Sequence, residues 1–178
     1  MSKKIVALGA SNNKDSINKK LASFAANQIV NAEVSVLDLN DFEMPIYGID
    51  RERESGIPTL AHDFKVHLKK SDGIIISFAE HNGSYSAAFK NVMDWISRIE
   101  KDVWESKPMF LMATSPGGRG GMTVLEIAVN KFKLMNKNTI ISYSLPSFGQ
   151  NFSEVDGITD KELLISFNEQ LKSFEEAL

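Results

Sequence analysis

The chain has 178 residues, 43% of them apolar and 24% charged, with a formal charge of −3 and no cysteine. That length is enough for one domain with a full hydrophobic core, and mild acidity without a long basic run excludes the electrostatic footprint of a nucleic-acid or anionic-membrane binder. The lack of cysteine excludes disulfides, thiolate zinc or iron–sulfur sites and cysteine nucleophiles, so redox chemistry here requires a cofactor.

Behind the basic pair Lys3-Lys4, the apolar run Ile5-Val6-Ala7-Leu8 is too short for a signal sequence or a membrane span and is read as the first strand of a cytoplasmic protein. In chain order the pattern predicts strand 4–9, helix 16–30, strand 33–39, helix 58–70, strand 73–78, helix 84–101, strand 107–114, helix 121–135, strand 139–145 and helix 159–178. Strands that are apolar on both faces and separated by helices indicate a parallel sheet covered on each side. Five strands and five helices over residues 1–178 suit a single flavodoxin-like α/β domain, a three-layer sandwich with strand order 2-1-3-4-5; the spacing alone also admits a Rossmann order. Two long loops stand out, 40–57 with Met44-Pro45-Ile46-Tyr47 and Arg51-Glu52-Arg53-Glu54, and 146–158 with Phe148 and Phe152. Loops of that length in a compact domain are usually functional or disordered, and the Pro-flanked apolar residues make the first an ordered pocket wall.

Ligands of open α/β sheets bind beyond the carboxyl ends of the strands, where the winding reverses, so the loops after strands one, three and four are the candidate site. The first, Gly9-Ala10-Ser11-Asn12-Asn13-Lys14-Asp15-Ser16-Ile17-Asn18, brings hydroxyls and amides to a helix N-terminus, which suits a phosphate dianion. Ser16 reads equally well as a plain N-cap. Neither a dinucleotide fingerprint nor a P-loop is present. The second, Ala79-Glu80-His81-Asn82-Gly83-Ser84, lets backbone approach a planar ligand at Gly83; its bland reading is an ordinary turn with an exposed histidine. Lys90, Asp94 and Trp95, farther into the following helix, suit packing or a subunit contact. The third, Ser115-Pro116-Gly117-Gly118-Arg119-Gly120-Gly121, is donor-rich and flexible. His62, His67 and His81 lack metal-ligand spacing, and no Gly-x-Ser-x-Gly elbow points to serine hydrolysis.

Taken together, Gly9, Ser11 and Ser16-Ile17-Asn18, then Met44-Pro45-Ile46-Tyr47, Glu80-His81-Asn82-Gly83-Ser84, Phe89-Lys90-Asn91-Val92-Met93-Asp94-Trp95 and the Gly-rich loop resemble the NADPH-dependent FMN reductase family, in order over residues 4–145. The resemblance implies that Ser11, Asn13, Ser16, Ile17 and Asn18 hold the FMN phosphate. It implies that Glu80, His81, Asn82, Gly83 and Ser84 line the isoalloxazine ring, and that Ser115, Pro116, Gly117, Gly118, Arg119 and Gly120 meet it from the other side. It also implies a homodimer or tetramer, a hint shared by the apolar helix residues Phe89, Val92, Met93, Trp95 and Ile96. Three positions depart from the family pattern: Asn13 stands for Arg, removing a charge-assisted phosphate contact; His81 stands for Tyr; Ser86 stands for Pro.

The expected function is hydride transfer from NADPH or NADH through FMN to a small electron acceptor such as a flavin, quinone, azo or nitro compound, in ping-pong order. His81, in the ring-facing loop, is the candidate proton donor. Two alternatives remain open: a flavodoxin-type electron carrier, which ordinarily has a stronger acidic field, and a non-redox module for a phosphorylated ligand, which would be colourless.

Overall fold

A computed structural model describes residues 2–178; Met1 lies outside them. Five strands, β1 (Lys3–Ala10), β2 (Ala32–Leu37), β3 (Gly73–Phe78), β4 (Met109–Thr114) and β5 (Ile140–Leu145), form one parallel sheet in the order β2-β1-β3-β4-β5. Every residue of β3 and β4 is buried, because helices cover both faces of these central strands. On one face α1 (Ile17–Asn27) and α7 (Lys161–Ala177) pack on Ile5, Ala7, Ile75, Phe110 and Met112. On the other, α3 (Thr59–Lys70), α4 (Ala87–Ile96) and α5 (Met122–Met135) pack on Val6, Leu8, Ile74, Ile76 and Leu111.

The predicted order holds, and the differences lie at element ends and in loops. Helix 84–101 contracts to α4, because Ser86 caps it: its Oγ accepts from Phe89 N (3.2 Å) while its hydroxyl donates to Ala10 O (2.8 Å). The predicted loop 40–57 holds a 3-10 turn, Leu39–Phe42, and a helix α2, Ile49–Ser55. None of α2 is buried, so it lacks the apolar stripe that reveals a helix in sequence. Region 146–158 folds into the short α6 (Phe148–Asn151) and a two-residue ribbon of β6 (Phe152–Ser153) and β7 (Gly157–Ile158). The apolar side of α4 is consumed by the chain's own core: Phe89, Trp95 and Ile96 are wholly buried, and Val92 and Met93 nearly so. Those side chains therefore do not supply the subunit contact read into them from sequence.

At the edge of the sheet opposite the candidate site, one ammonium organises a loop. Lys65 is 2% exposed; its Nζ donates to the carbonyls of Asp102 (3.0 Å) and Val103 (2.7 Å) and lies 3.1 Å from Glu100 and 2.5 Å from Glu105. A buried charge tolerates removal from water only when paired in this way. The Lys69 ammonium beside Glu100, supported by Lys65, holds the Glu100 carboxyl down to about 2. A carboxyl depressed in the folded chain stabilises above its unfolded pKa of about 4.3, and that contribution disappears as pH falls through the folded value. Glu100 is 32% exposed, so screening keeps the effect small: Glu100→Gln is expected to cost about 1 kcal/mol near neutral pH. In denaturation series the gap should close between about pH 5 and about pH 2; a gap constant over that range contradicts the assignment.

Candidate cofactor site

The first loop follows β1 and enters α1 where strand and helix come very close. A Cβ on Gly9 would lie 2.4 Å from Lys19 N and 2.6 Å from Lys19 Cα, so only glycine fits there. Ser16 caps α1, its Oγ accepting from Lys19 N (3.2 Å), and Ser11 Oγ accepts from Asn13 N (3.1 Å). Each hydroxyl thus uses a lone pair locally and keeps its proton for a ligand. The N–H groups of Ile17 and Asn18 are first-turn donors that the helix itself does not use, and no acid occupies that turn. Asn13 turns its Oδ1 to Asp15 N (3.0 Å). Lys19 is committed to Asp38, whose carboxyl it holds below the usual range, which leaves exposed Lys14 as the loop's own cation.

Asn18 behaves differently from its neighbours. It is 3% exposed, its Oδ1 accepts from Ser77 Oγ (2.7 Å) and Thr114 N (3.0 Å), and its Nδ2 donates to Thr114 O (3.1 Å). The side chain braces α1 against β3 and β4, and its backbone N–H is what it offers to the loop.

After β3, His81 and Ser84 exchange two backbone hydrogen bonds (2.9 and 3.1 Å) around Asn82 (φ 51°) and Gly83 (φ 73°). Positive φ at both central residues makes this a type I′ turn, which Asn-Gly favours. The turn presents its tip and His81 to solvent. Glu80 Oε2 accepts from Val124 N (3.2 Å), tying the turn to the first turn of α5.

After β4, Gly120 (φ 59°) and Gly121 (φ 71°) swing the chain into α5, and a Cβ on Gly120 would lie 2.4 Å from Ser144 Oγ. The loop is fixed from behind: Ser147 N donates to Gly117 O (3.0 Å), Phe148 N to Ser115 O (3.0 Å) and Ser144 Oγ to Gly120 O (3.0 Å). Pro116, Gly117, Gly118 and Arg119 remain exposed, and the Arg119 guanidinium bonds Thr123 Oγ1 (3.0 Å).

These loops meet. A hollow of about 480 Å³ is lined by Ser11, Asn13, Asp15, Ser16, Ile17 and Asn18 from the first, Ala79, Glu80 and His81 from the second, and Thr114, Ser115 and Pro116 from the third. Asn82, Gly83, Ser84, Gly117, Gly118, Arg119 and Gly120 belong to the same loops but lie outside the hollow's immediate lining. Asn12, which carried no role in the sequence reading, also lines it. Nothing in a short polar loop marks Asn12 out, because its surroundings come from residues far along the chain.

A doubly wound parallel sheet in this order, with a helix start and two backbone-rich loops at the reversal between β1 and β3, defines a flavodoxin-like protein. The sequence pattern of the NADPH-dependent FMN reductase family matches residues 3–150. The chain belongs to that family. It is 31% identical to the quinone reductase of Escherichia coli (strain K12) over 96 residues, 54% of this chain and 48% of that protein. It is 33% identical to a 2-hydroxy-1,4-benzoquinone reductase of a Burkholderia species over 121 residues, 67% of this chain and 64% of that protein. The aligned stretch therefore spans about half to two thirds of these relatives. Among solved structures, FerB, an NAD(P)H:acceptor oxidoreductase from Paracoccus denitrificans, superposes with a TM-score of 0.78 at 22% identity, covering 98% of this chain and 96% of that one.

The donor set suits the family's cofactor. Free first-turn N–H groups and two hydroxyl protons match a phosphate dianion, while a tight turn and a glycine loop let backbone lie along a flat ring.

Proposed function

We propose that the chain binds FMN in this hollow and transfers two electrons from NADPH or NADH to a small acceptor. The net reaction is NAD(P)H plus a proton plus oxidised acceptor giving NAD(P)⁺ and the two-electron-reduced acceptor. When bound, FMN would supply the hydride-accepting and electron-donating chemistry. The residues bind and orient: Ser11, Ser16 and the N–H groups of Ile17 and Asn18 hold the phosphate, with Lys14 nearby in place of the arginine absent at position 13. The His81–Ser84 turn and the Ser115–Gly120 loop would lie along the ring, Arg119 would add a positive charge beside it, and His81 is the candidate proton donor to the acceptor.

The observation that carries this reading is the convergence of three separate loops on one hollow at the reversal point of the sheet. No helix among the described residues is long and apolar enough to cross a membrane; we assign the protein to the cytoplasm, where the nicotinamide pool and the absence of cysteine both fit. We also assign residues 1–178 to one domain. Self-association as a homodimer or tetramer follows from the family resemblance alone, since the apolar side of α4 is already covered.

Purified protein mixed with FMN should show bound-flavin absorption that bleaches anaerobically on addition of NADPH or NADH, and should elute with a dimer or tetramer mass by light scattering. His81→Phe should lose turnover while keeping bound FMN; full turnover removes the proton-donor role. A protein that stays colourless at micromolar FMN instead supports the phosphorylated-ligand module, and bleaching by a protein donor alone supports the carrier.

A further inference from the structure

Ser86 ties two parts of the candidate site to each other. It is 1% exposed, and its hydroxyl reaches from the start of α4 to Ala10 O (2.8 Å), the last carbonyl of β1 before the phosphate loop, while its Oγ caps α4 through Phe89 N (3.2 Å). Among the described residues no other side-chain hydrogen bond joins segment 9–18 to segment 79–86.

The register of the sheet gives that bond its leverage. Ala10 stands opposite Phe78 in the β1–β3 ladder, so residues 79–86 leave the sheet beside Ala10 and, through Ser86, return to it. Both roots of the segment that carries His81 and Gly83 therefore rest on the residue from which the phosphate loop departs. The segment's other support, Glu80 Oε2 accepting from Val124 N (3.2 Å), comes from an exposed side chain whose bond water can replace. The Ser86 bond is wholly buried, where a lost partner costs more. The pattern of the NADPH-dependent FMN reductases has proline at this position, which carries no hydroxyl, so the link belongs to this chain's own sequence.

FMN carries a phosphate and a flat ring on one connecting chain. Its phosphate adds to the affinity of its ring only when the two half-sites stand at the separation the molecule spans. We propose that Ser86 is a positioning residue that fixes the separation between the phosphate cradle at the start of α1 and the His81–Ser84 turn. The proposal rests on the reading that FMN occupies the hollow. Loss of the hydroxyl leaves each half-site intact: Ser11, Ser16 and the first-turn N–H groups of α1 are untouched, and the turn keeps its own two backbone bonds. What changes is the distance between them. The bond can transmit to a ligand no more than it is worth, about a factor of five for one net hydrogen bond.

The test is titration of FMN and of riboflavin, the same ring without the phosphate, against wild type, Ser86→Ala and Ser86→Gly, followed by flavin fluorescence with no nicotinamide present. Both variants should weaken FMN about fivefold and riboflavin less than about twofold, so that the preference for the phosphorylated flavin falls. Glycine is tolerated at an N-cap at little cost, so Ser86→Gly preserves the start of α4 and carries the test if Ser86→Ala does not fold. Ser71→Ala is the control: Ser71 is 2% exposed, and its hydroxyl donates to Leu68 O (2.9 Å) just before β3, at the end of the strand away from the hollow. That variant should keep the wild-type preference. An unchanged preference in folded Ser86→Gly, a riboflavin loss as large as the FMN loss, or the same fall in Ser71→Ala overturns the proposal while leaving wild-type FMN binding in place. Wild-type protein that binds neither flavin overturns the FMN reading and the proposal with it.

Discussion

Asn18→Ala is expected to lower the unfolding free energy by about 4 kcal/mol while changing FMN affinity less than about threefold once the variant is folded. The side chain satisfies three buried groups: Ser77 Oγ, Thr114 N and Thr114 O. Each group left unpaired costs about 1–3 kcal/mol, and truncation leaves no room for bulk water at a residue only 3% exposed. Phosphate contact, in contrast, comes from the Asn18 backbone N–H, which alanine retains. Chemical denaturation and flavin titration of the same variant separate the two effects. Asn18→Asp sharpens the comparison: it keeps both acceptor bonds but turns an oxygen toward Thr114 O, and should recover about half of the lost stability. A large loss of FMN affinity in a fully folded Asn18→Ala protein restores the side chain to the phosphate.

Gly9→Ala should damage both stability and binding. The added methyl group meets Lys19 N at 2.4 Å and Asn18 C at 2.9 Å, and these are backbone atoms that no rotamer change can move aside. Overpacking of this kind costs about 1–3 kcal/mol, and relief requires the start of α1 to move away from the sheet. That shift carries the Ile17 and Asn18 N–H groups and the Ser16 hydroxyl with it, so FMN affinity should fall at least about tenfold, the value of one charge-assisted hydrogen bond. A thermal melt and a flavin titration check both parts. If the variant melts lower but binds FMN as the wild type does, the phosphate does not sit at the start of α1.

The sheet was legible because its central strands carry Ile, Leu, Phe and Met without alternation, a pattern that only two-sided burial permits. The site loops were legible for a related reason: once strand order is known, the ends of β1, β3 and β4 must lie together. What stayed hidden is whatever depends on register between distant segments. Asn18 reads as a polar residue at a helix start, and only the arrival of Thr114 and Ser77 beside it turns its side chain inward. Glu80 reads as a ring contact and is partly spent on Val124 N. Asn12 has no local signal at all, since the hollow it lines is walled by residues far along the chain. Helix α2 escaped because a stretch that buries nothing leaves no periodicity to detect.

The Asn18–Thr114 bond joins positions 96 apart in the chain. During synthesis the phosphate loop leaves the ribosome almost at once, yet its helix start is not anchored until β4 has emerged and taken its place beside β3. A nascent chain ending before Thr114 therefore holds every residue of the phosphate loop and has no formed cradle to offer. A formed phosphate cradle is thus a sign that β4 has joined the sheet.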